Sequence, residues 1–221
     1  MPRLNSSQVL VARNVVLDGR LGLFHRRERW LAVADLHFGY EISQRAAGNL
    51  FPLWGMRTLE ARLKELLGDF KPQRLILLGD LVHDATAGNE FFRFVERLRS
   101  ICEIVLIAGN HDRQIRRQPS NLKDCLVESW QTKNFYFHHG HCTNKHPGLI
   151  EVIGHHHPAG TVRDGAGLRL KLPAFVQQKK CWVMPAFSPW AGGSHWTGNG
   201  QSRVWLCSPT RILRFDENDV N

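Results

Sequence analysis

Apolar positions along this 221-residue chain recur with two periods, one of strands and one of helices. Residues 8–16 and 30–36 read as strands, the second a continuous apolar segment of the kind buried on both faces of a sheet. Arg26, Arg27, Glu28 and Arg29 form a basic turn between them. Residues 58–70 set Leu59, Leu63, Leu66, Leu67 and Phe70 three or four positions apart, which predicts an amphipathic helix that ends before Pro72. Residues 74–78 form an apolar strand, residues 89–100 a helix with Phe91, Phe92, Val95 and Leu98 inward, and residues 104–108 another strand. That alternation predicts parallel strands joined by right-handed crossovers. Beyond about residue 125 the helical period fades into short strands divided by Gly and Pro, so the second half is expected to be more antiparallel. The expected fold is α/β, two sheets sandwiched by helices. With no internal repeat and no long linker, residues 1–221 are expected to be one domain.

The polar residues that matter stand at the carboxyl ends of the predicted strands. The strand at 30–36 runs into Asp35-Leu36-His37, that at 74–78 into Gly79-Asp80, and that at 104–108 into Gly109-Asn110-His111-Asp112. Ligand sites of open parallel sheets gather outside these ends, so the three groups should converge. Two later segments add imidazoles, His138-His139-Gly140-His141 and Gly154-His155-His156-His157. Singly, each has a structural explanation: a turn at Gly79-Asp80, a left-handed Asn110, a histidine satisfied in the core. Together they offer two carboxylates, an amide oxygen and at least four imidazoles without a thiolate, the donor set of Mn, Fe or Zn.

Composition adds two facts. Lys and Arg number 29 against 20 Asp and Glu, a formal charge of +9, and residues 160–215 hold eight basic residues and one acidic residue, Asp164. That excess favours a polyanionic partner, nucleic acid first, although a diffuse positive surface also serves solubility. The five cysteines, Cys102, Cys125, Cys142, Cys181 and Cys207, are odd in number and contain no Cys-x-x-Cys, so reduced thiols are expected. No apolar run approaches the roughly 20 residues of a membrane span, and the N-terminus lacks a signal-peptide pattern. No membrane partner is expected, and the cytoplasm is the expected compartment.

The ordered series Asp-x-His, Gly-Asp, Gly-Asn-His-Asp, His-Gly and Gly-His-x-His over residues 35–157 resembles the calcineurin-like metallophosphoesterase superfamily. The resemblance implies that family's four-layer fold and a dinuclear centre of two divalent ions, Mn above Fe or Zn. Position by position, Asp35, His37 and His157 correspond to the ligands of one ion, and Asn110, His139 and His155 to those of the other. Asp80 corresponds to the bridge, a role that suits a carboxylate because two cations about 3.5–4 Å apart need an anion between them. In an extended His155-x-His157 both rings share a face while His156 points away. His139 is preferred over His138 and His141 because the family ligand usually precedes the glycine; His141 is left as a substrate contact. His111 corresponds to the group that binds the phosphate or protonates the leaving oxygen, with Asp112 expected to fix its tautomer. The implied reaction is in-line attack on a phosphodiester by a hydroxide bridging the metals.

Residues 31–39, 109–113, 154–159 and 184–193 further resemble the ligase-associated DNA damage response endonuclease branch, which implies nucleic acid as substrate and a DNA ligase and a helicase as partners. Tyr40 stands where that branch usually has Lys, and His139-Gly140-His141 replaces its usual His, acidic residue and Pro. Arg113, with Arg116 and Arg117, follows the Asn-His-Asp block and is either a clamp on flanking phosphates or a solvated helix surface, and Trp182, Trp190, Trp196 and Trp205 are either core or base-stacking residues. Phosphomonoesterase or cyclic nucleotide phosphodiesterase activity is the alternative within the enzyme class. A non-catalytic partner of a DNA repair complex is the alternative outside it.

Overall fold

The computed structural model describes residues 4–112, 115, 122, 125–141, 146, 148–163, 166–196 and 201–215. The first sheet takes its strands in chain order: β1 (Gln8–Ala12), β2 (Val15–Asp18), β3 (Gly22–His25), β4 (Trp30–Ala34), β5 (Arg74–Leu78), β6 (Glu103–Ile107) and β7 (Leu126–Val127). From β1 to β4 neighbours are antiparallel, and from β4 to β7 they are parallel. The strand expected over 8–16 is a hairpin instead. Asn14 adopts the left-handed conformation at φ 65° and turns the chain, a reversal that apolar spacing does not reveal.

Every α-helix of the described residues lies between residues 40 and 99: α1 (Tyr40–Ala46), α2 (Gly55–Phe70) and α3 (Gly88–Arg99). Helix α2 begins earlier than its apolar period and buries Leu59, Leu63, Leu66 and Leu67. It stops at Lys71, left-handed at φ 43°, immediately before Pro72. Helix α3 buries Phe91, Phe94, Val95 and Leu98. Phe94, not Phe92, is thus the inward ring, because 91, 94, 95 and 98 complete the helical stripe. No helix is long and apolar enough to cross a membrane among the described residues.

The second sheet runs β14 (Ser194–His195), β11 (Pro158–Arg163), β12 (Arg169–Gln177), β13 (Cys181–Val183), β10 (Ile150–Ile153), β9 (Phe135–His138), β8 (Ser129–Gln131), with β15 (Arg203–Cys207) on β12 and β16 (Ile212–Phe215) on β15. It is mixed. Strand β10 is parallel to β9 and β13, whereas β11, β12, β15 and β16 pair antiparallel. The two sheets share one core: Trp30 of β4 packs edge-on against Phe135 and Phe137 of β9 at 5.3 and 5.0 Å, and Phe135 meets Trp182 at 5.4 Å. Among the described cysteines, Cys102, Cys181 and Cys207 are free thiols, and burial pushes Cys207 up to about 12.

Candidate metal centre

Strands β4, β5 and β6 are in register, with Ala34 opposite Leu78 and Leu78 opposite Ile107, so their carboxyl ends are level. The residues that leave those ends therefore arrive side by side. The two loops also pair: His37 N donates to Asp80 O at 2.8 Å, and Phe38 bridges to Val82. From the second sheet, the ends of β9 and β10 deliver His139, His155 and His157, and the segment after β13 completes the join through Ser188 N, which donates to Asp35 O at 3.1 Å.

The side chains fall into two sets with one member in common. Asp35, His37, Asp80 and His157 each offer a donor atom within 4.8 Å of the others, and so do Asp80, His139 and His155. In the first set His37 Nε2 lies 3.3 Å from His157 Nε2 and 3.9 Å from Asp80 Oδ2, while His157 Nε2 lies 3.6 Å from Asp35 Oδ1. In the second His139 Nε2 lies 3.4 Å from Asp80 Oδ1, 3.0 Å from Asn110 Oδ1 and 3.2 Å from His155 Nδ1. The two oxygens of Asp80 thus face different sets. Donor atoms bound to one transition metal at about 2.0–2.2 Å must lie about 3 Å or slightly more from each other, which these spacings approach. The donor types and their crowding fit a pair of divalent cations.

Backbone strain is concentrated on the same residues. Nine non-glycine residues among those described have positive φ, and five of them are Asp35, His37, Asp80, His155 and His157. Such conformations cost on the order of 1–3 kcal/mol each and persist where the surroundings over-determine them. Two glycines show how. A Cβ on Gly79, at φ 73°, would sit 1.9 Å from His139 Nδ1, and one on Gly154 would sit 2.6 Å from Asp35 Oδ2. Each sheet therefore presses a ligand candidate against a glycine of the other.

Charge follows burial. Burial alone would raise the Asp80 carboxyl, but His139, the His111 N–H and His37 outweigh it and hold Asp80 well below the usual carboxylate range. Burial opposes a charge on His139 too, yet Asp80, Asp35 and Asp112 together raise it. His37 is pushed down to about 4 chiefly by burial. Burial, followed by its imidazole neighbours His139 and His156, also lowers His155.

The structure separates the three neighbouring histidines. His139 is 1% exposed and faces Asp80 and Asn110, His138 turns to Glu151 at 3.6 Å, and His141 stands at the surface with its ring 5.3 Å from that of His139. His156 is exposed, its ring 5.3 Å from that of His155 and 6.2 Å from that of Trp196, and the segment is not the extended one expected, because His155 and His157 are left-handed at φ 68° and 44°. His111 is also exposed, its ring 5.9 Å from that of His37 and its N–H donating to Asp80 Oδ1 at 3.2 Å.

Asp112 departs from expectation. Its carboxylate, fully buried, accepts from the N–H groups of Gly109 at 2.7 Å, Leu81 at 2.9 Å and Val82 at 3.2 Å, and makes no hydrogen bond to His111. Burial, opposed by those N–H groups, raises it to about 6. It ties the Asp80 loop to the Asn110 loop rather than setting an imidazole tautomer. Arg113, Arg116 and Arg117 lie outside the described residues.

The sequence reading missed His83. Its ring lies 6.0 Å from His37 and 4.7 Å from Tyr40, and burial lowers its pKa. The only signal was its place three residues beyond Asp80, in the loop that pairs with Phe38. Residues 184–193 reach the site. Trp190 and Ala191 line a 170 Å³ pocket with His37, Tyr40, His83 and His157. Glu41 Oε2 accepts from Trp190 Nε1 at 3.0 Å and anchors that wall. Trp182, in contrast, is core, 2% exposed.

A family model for calcineurin-like phosphoesterases matches residues 29–213. The chain belongs to that family. This calcineurin-like phosphoesterase is similar over 91% of its length, at 28% identity and a TM-score of 0.70, to the Pseudomonas putida nuclease MPE, of which 94% is covered. It also aligns with Yfce, a phosphoesterase from E. coli, at 16% identity and a TM-score of 0.42, covering 87% of this chain and 94% of that one. None of the curated proteins matches it. Family and fold make the chain a metal-dependent phosphoesterase.

Proposed function

We propose that this phosphoesterase cleaves phosphodiesters of nucleic acid, with Asp35, His37, His157 and Asp80 holding one divalent cation and Asp80, Asn110, His139 and His155 a second. The observation that carries the reading is Asp80, whose two oxygens face the two donor sets. When bound, two such cations supply a nucleophile from water near neutral pH and offset charge on phosphoryl oxygens. The remaining work belongs to the chain. Asp112 positions Asp80 and Asn110 through the backbone of both loops. His111, exposed beside Asp80, orients the phosphate and gives a proton to the leaving oxygen from its imidazole. His141 at the surface and Arg113 are proposed as substrate contacts. A diester of nucleic acid is favoured over a monoester by the +9 charge and by the likeness to a nuclease. Manganese as the metal, one domain, a cytoplasmic location and service beside a DNA ligase and a helicase in repair complete the proposal.

The test is hydrolysis of bis(p-nitrophenyl) phosphate with manganese added. Activity is expected, and it should be lost in Asp80→Asn and reduced in His111→Ala. A fully metallated protein inert toward every phosphoester would sink the reading.

A further inference from the structure

A groove of about 530 Å³ leaves the candidate centre at His157 and Ser188 and passes Trp54, Arg62, Lys171 and Gly193. Its cationic groups are placed unusually. Arg62 is half-buried, and its guanidinium donates through Nη1 to Phe187 O at 3.0 Å and lies 5.1 Å over the Phe187 ring. Arg20 has Asp18 and Asp69 as carboxylate partners, Arg74 has Glu103 and Arg97 has Glu60, whereas Arg29 is held as Arg62 is, by a carbonyl (Lys71 O) and a ring (Phe24), but outside the groove's lining. Arg62 has no such ion pair among the described residues. Glu65, the nearest in charge, approaches Arg20 at 3.7 Å instead, and burial accordingly lowers the Arg62 pKa. A half-buried guanidinium with spare N–H groups, held by a carbonyl and a ring, is a ready phosphate fork.

Its place is fixed relative to the chemistry. Phe187 N donates to Ala34 O at 2.7 Å and Ser188 N to Asp35 O, so the carbonyl that anchors Arg62 belongs to the segment that runs beside Asp35. On the groove's other wall Lys171 Nζ donates to Gly193 O at 2.7 Å. Trp54, 46% exposed, packs at 4.4 Å on Trp190, whose indole is in turn held by Glu41. A basic track with an open indole beside it is the arrangement that receives a single strand, phosphates on the cations and a base on the ring.

We propose that this groove seats the strand flanking the scissile phosphodiester, with Arg62 on a neighbouring phosphate and Trp54 under a base, so that the substrate is a single-stranded polynucleotide. The assignment rests on the phosphodiesterase reading above and names its substrate. The experiment compares kcat/KM for oligothymidylate with kcat/KM for bis(p-nitrophenyl) phosphate, which has no flanking phosphate. The ratio of the two should fall about tenfold in Arg62→Gln and about tenfold in Trp54→Ala. Arg97→Gln, on the outer face of α3, should leave the ratio as it is. Anisotropy of labelled oligothymidylate in EDTA, where nothing is cleaved, should show weaker binding in both groove variants and a log-log salt slope shallower by about 0.7 in Arg62→Gln. That binding readout separates the two ideas, since a protein that binds the strand through Arg62 and Trp54 but hydrolyses nothing retains the groove and loses the reaction. Unchanged ratios and unchanged binding in both variants overturn the groove, as does duplex bound as tightly as single strand.

Discussion

Two buried acidic clusters in this protein are built on opposite plans. Asp18, at the end of β2, is fully buried and surrounded by donors: Gln8 Nε2 at 2.9 Å, Arg20 N at 3.0 Å, and Arg20 Nε and Nη2 both at 2.9 Å. Arg20 is itself closed off by Asp69 at 2.7 Å. The cluster is complete, a carboxylate and a guanidinium in fixed fork geometry. Asp35 and Asp80 are as deeply buried, yet beyond the N–H groups of His155 and His111 their neighbours are other ligating groups: the imidazoles of His37, His139 and His157 at 3.4–3.9 Å. His139 in turn touches the Asn110 amide oxygen and the His155 ring at 3.0 and 3.2 Å. The difference shows how to read buried charge. A satisfied carboxylate supports the fold, whereas a crowd of lone pairs on strained backbone is arranged for a cation.

The largest effect expected from that contrast is at Asp80. Asp80→Asn removes the charge shared by both donor sets, and since metal catalysis contributes several kcal/mol of transition-state stabilisation, kcat/KM on a phosphodiester should fall about 1,000-fold or more. Metal analysis of the purified variant should show fewer than two divalent ions per chain. Two tightly bound ions in Asp80→Asn would break the comparison.

Asp18→Ala is the converse. It strands Arg20, 14% exposed at its side chain, without its main partner, and a broken buried pair costs about 3 kcal/mol at the low end, which applies because Asp69 remains. Urea denaturation should show that loss while kcat/KM per folded molecule stays at the wild-type value. Metal should discriminate in the same way. Manganese at 100 times its Kd adds about 2.7 kcal/mol of stability per independent site. The gain should survive in Asp18→Ala and shrink in Asp80→Asn, as read by thermal melts with and without chelator.

How much of this was legible in the sequence follows from the kind of contact involved. The ends of β4, β5 and β6 were readable because parallel register makes strand ends level, so Asp35, Asp80 and Asn110 had to meet once the strands were recognised. The preference for His139 over His138 and His141 comes from the resemblance, since the spacing of the three rings does not decide it. The choice depends on the residue at which β9 ends and the alternation that sends His138 toward Glu151. Asp112 misled because adjacency in sequence suggested a partner in His111, whereas its partners are the N–H of Gly109 and those of Leu81 and Val82, about thirty residues back in the Asp80 loop. Asp18 carried no signal of its own, since only the fold brings Gln8 to it and Asp69 to its partner Arg20. Helix α1, seven residues long, is too short for an apolar period to show.

The smallest effect is a pH dependence, and it sharpens the contrast from the side of the complete cluster. Burial would raise the Asp18 carboxyl, but the Arg20 fork and Gln8 overcome it and leave the pKa below its ordinary 3.8. A carboxyl depressed in the folded state binds its proton more readily when unfolded. Its contribution to stability is therefore fully present above the unfolded value, about 3.9, and drains away as pH falls through the lower folded value. Wild type and Asp18→Asn should thus give parallel stability curves from pH 7 to about 5 and converge below about 4, because the variant has no proton left to gain at that site. Urea midpoints at half-unit steps of pH provide the measurement. A constant gap between the two curves down to pH 2 would mean that the Arg20 fork acts through shape and packing alone, and would remove charge from the account of the complete cluster.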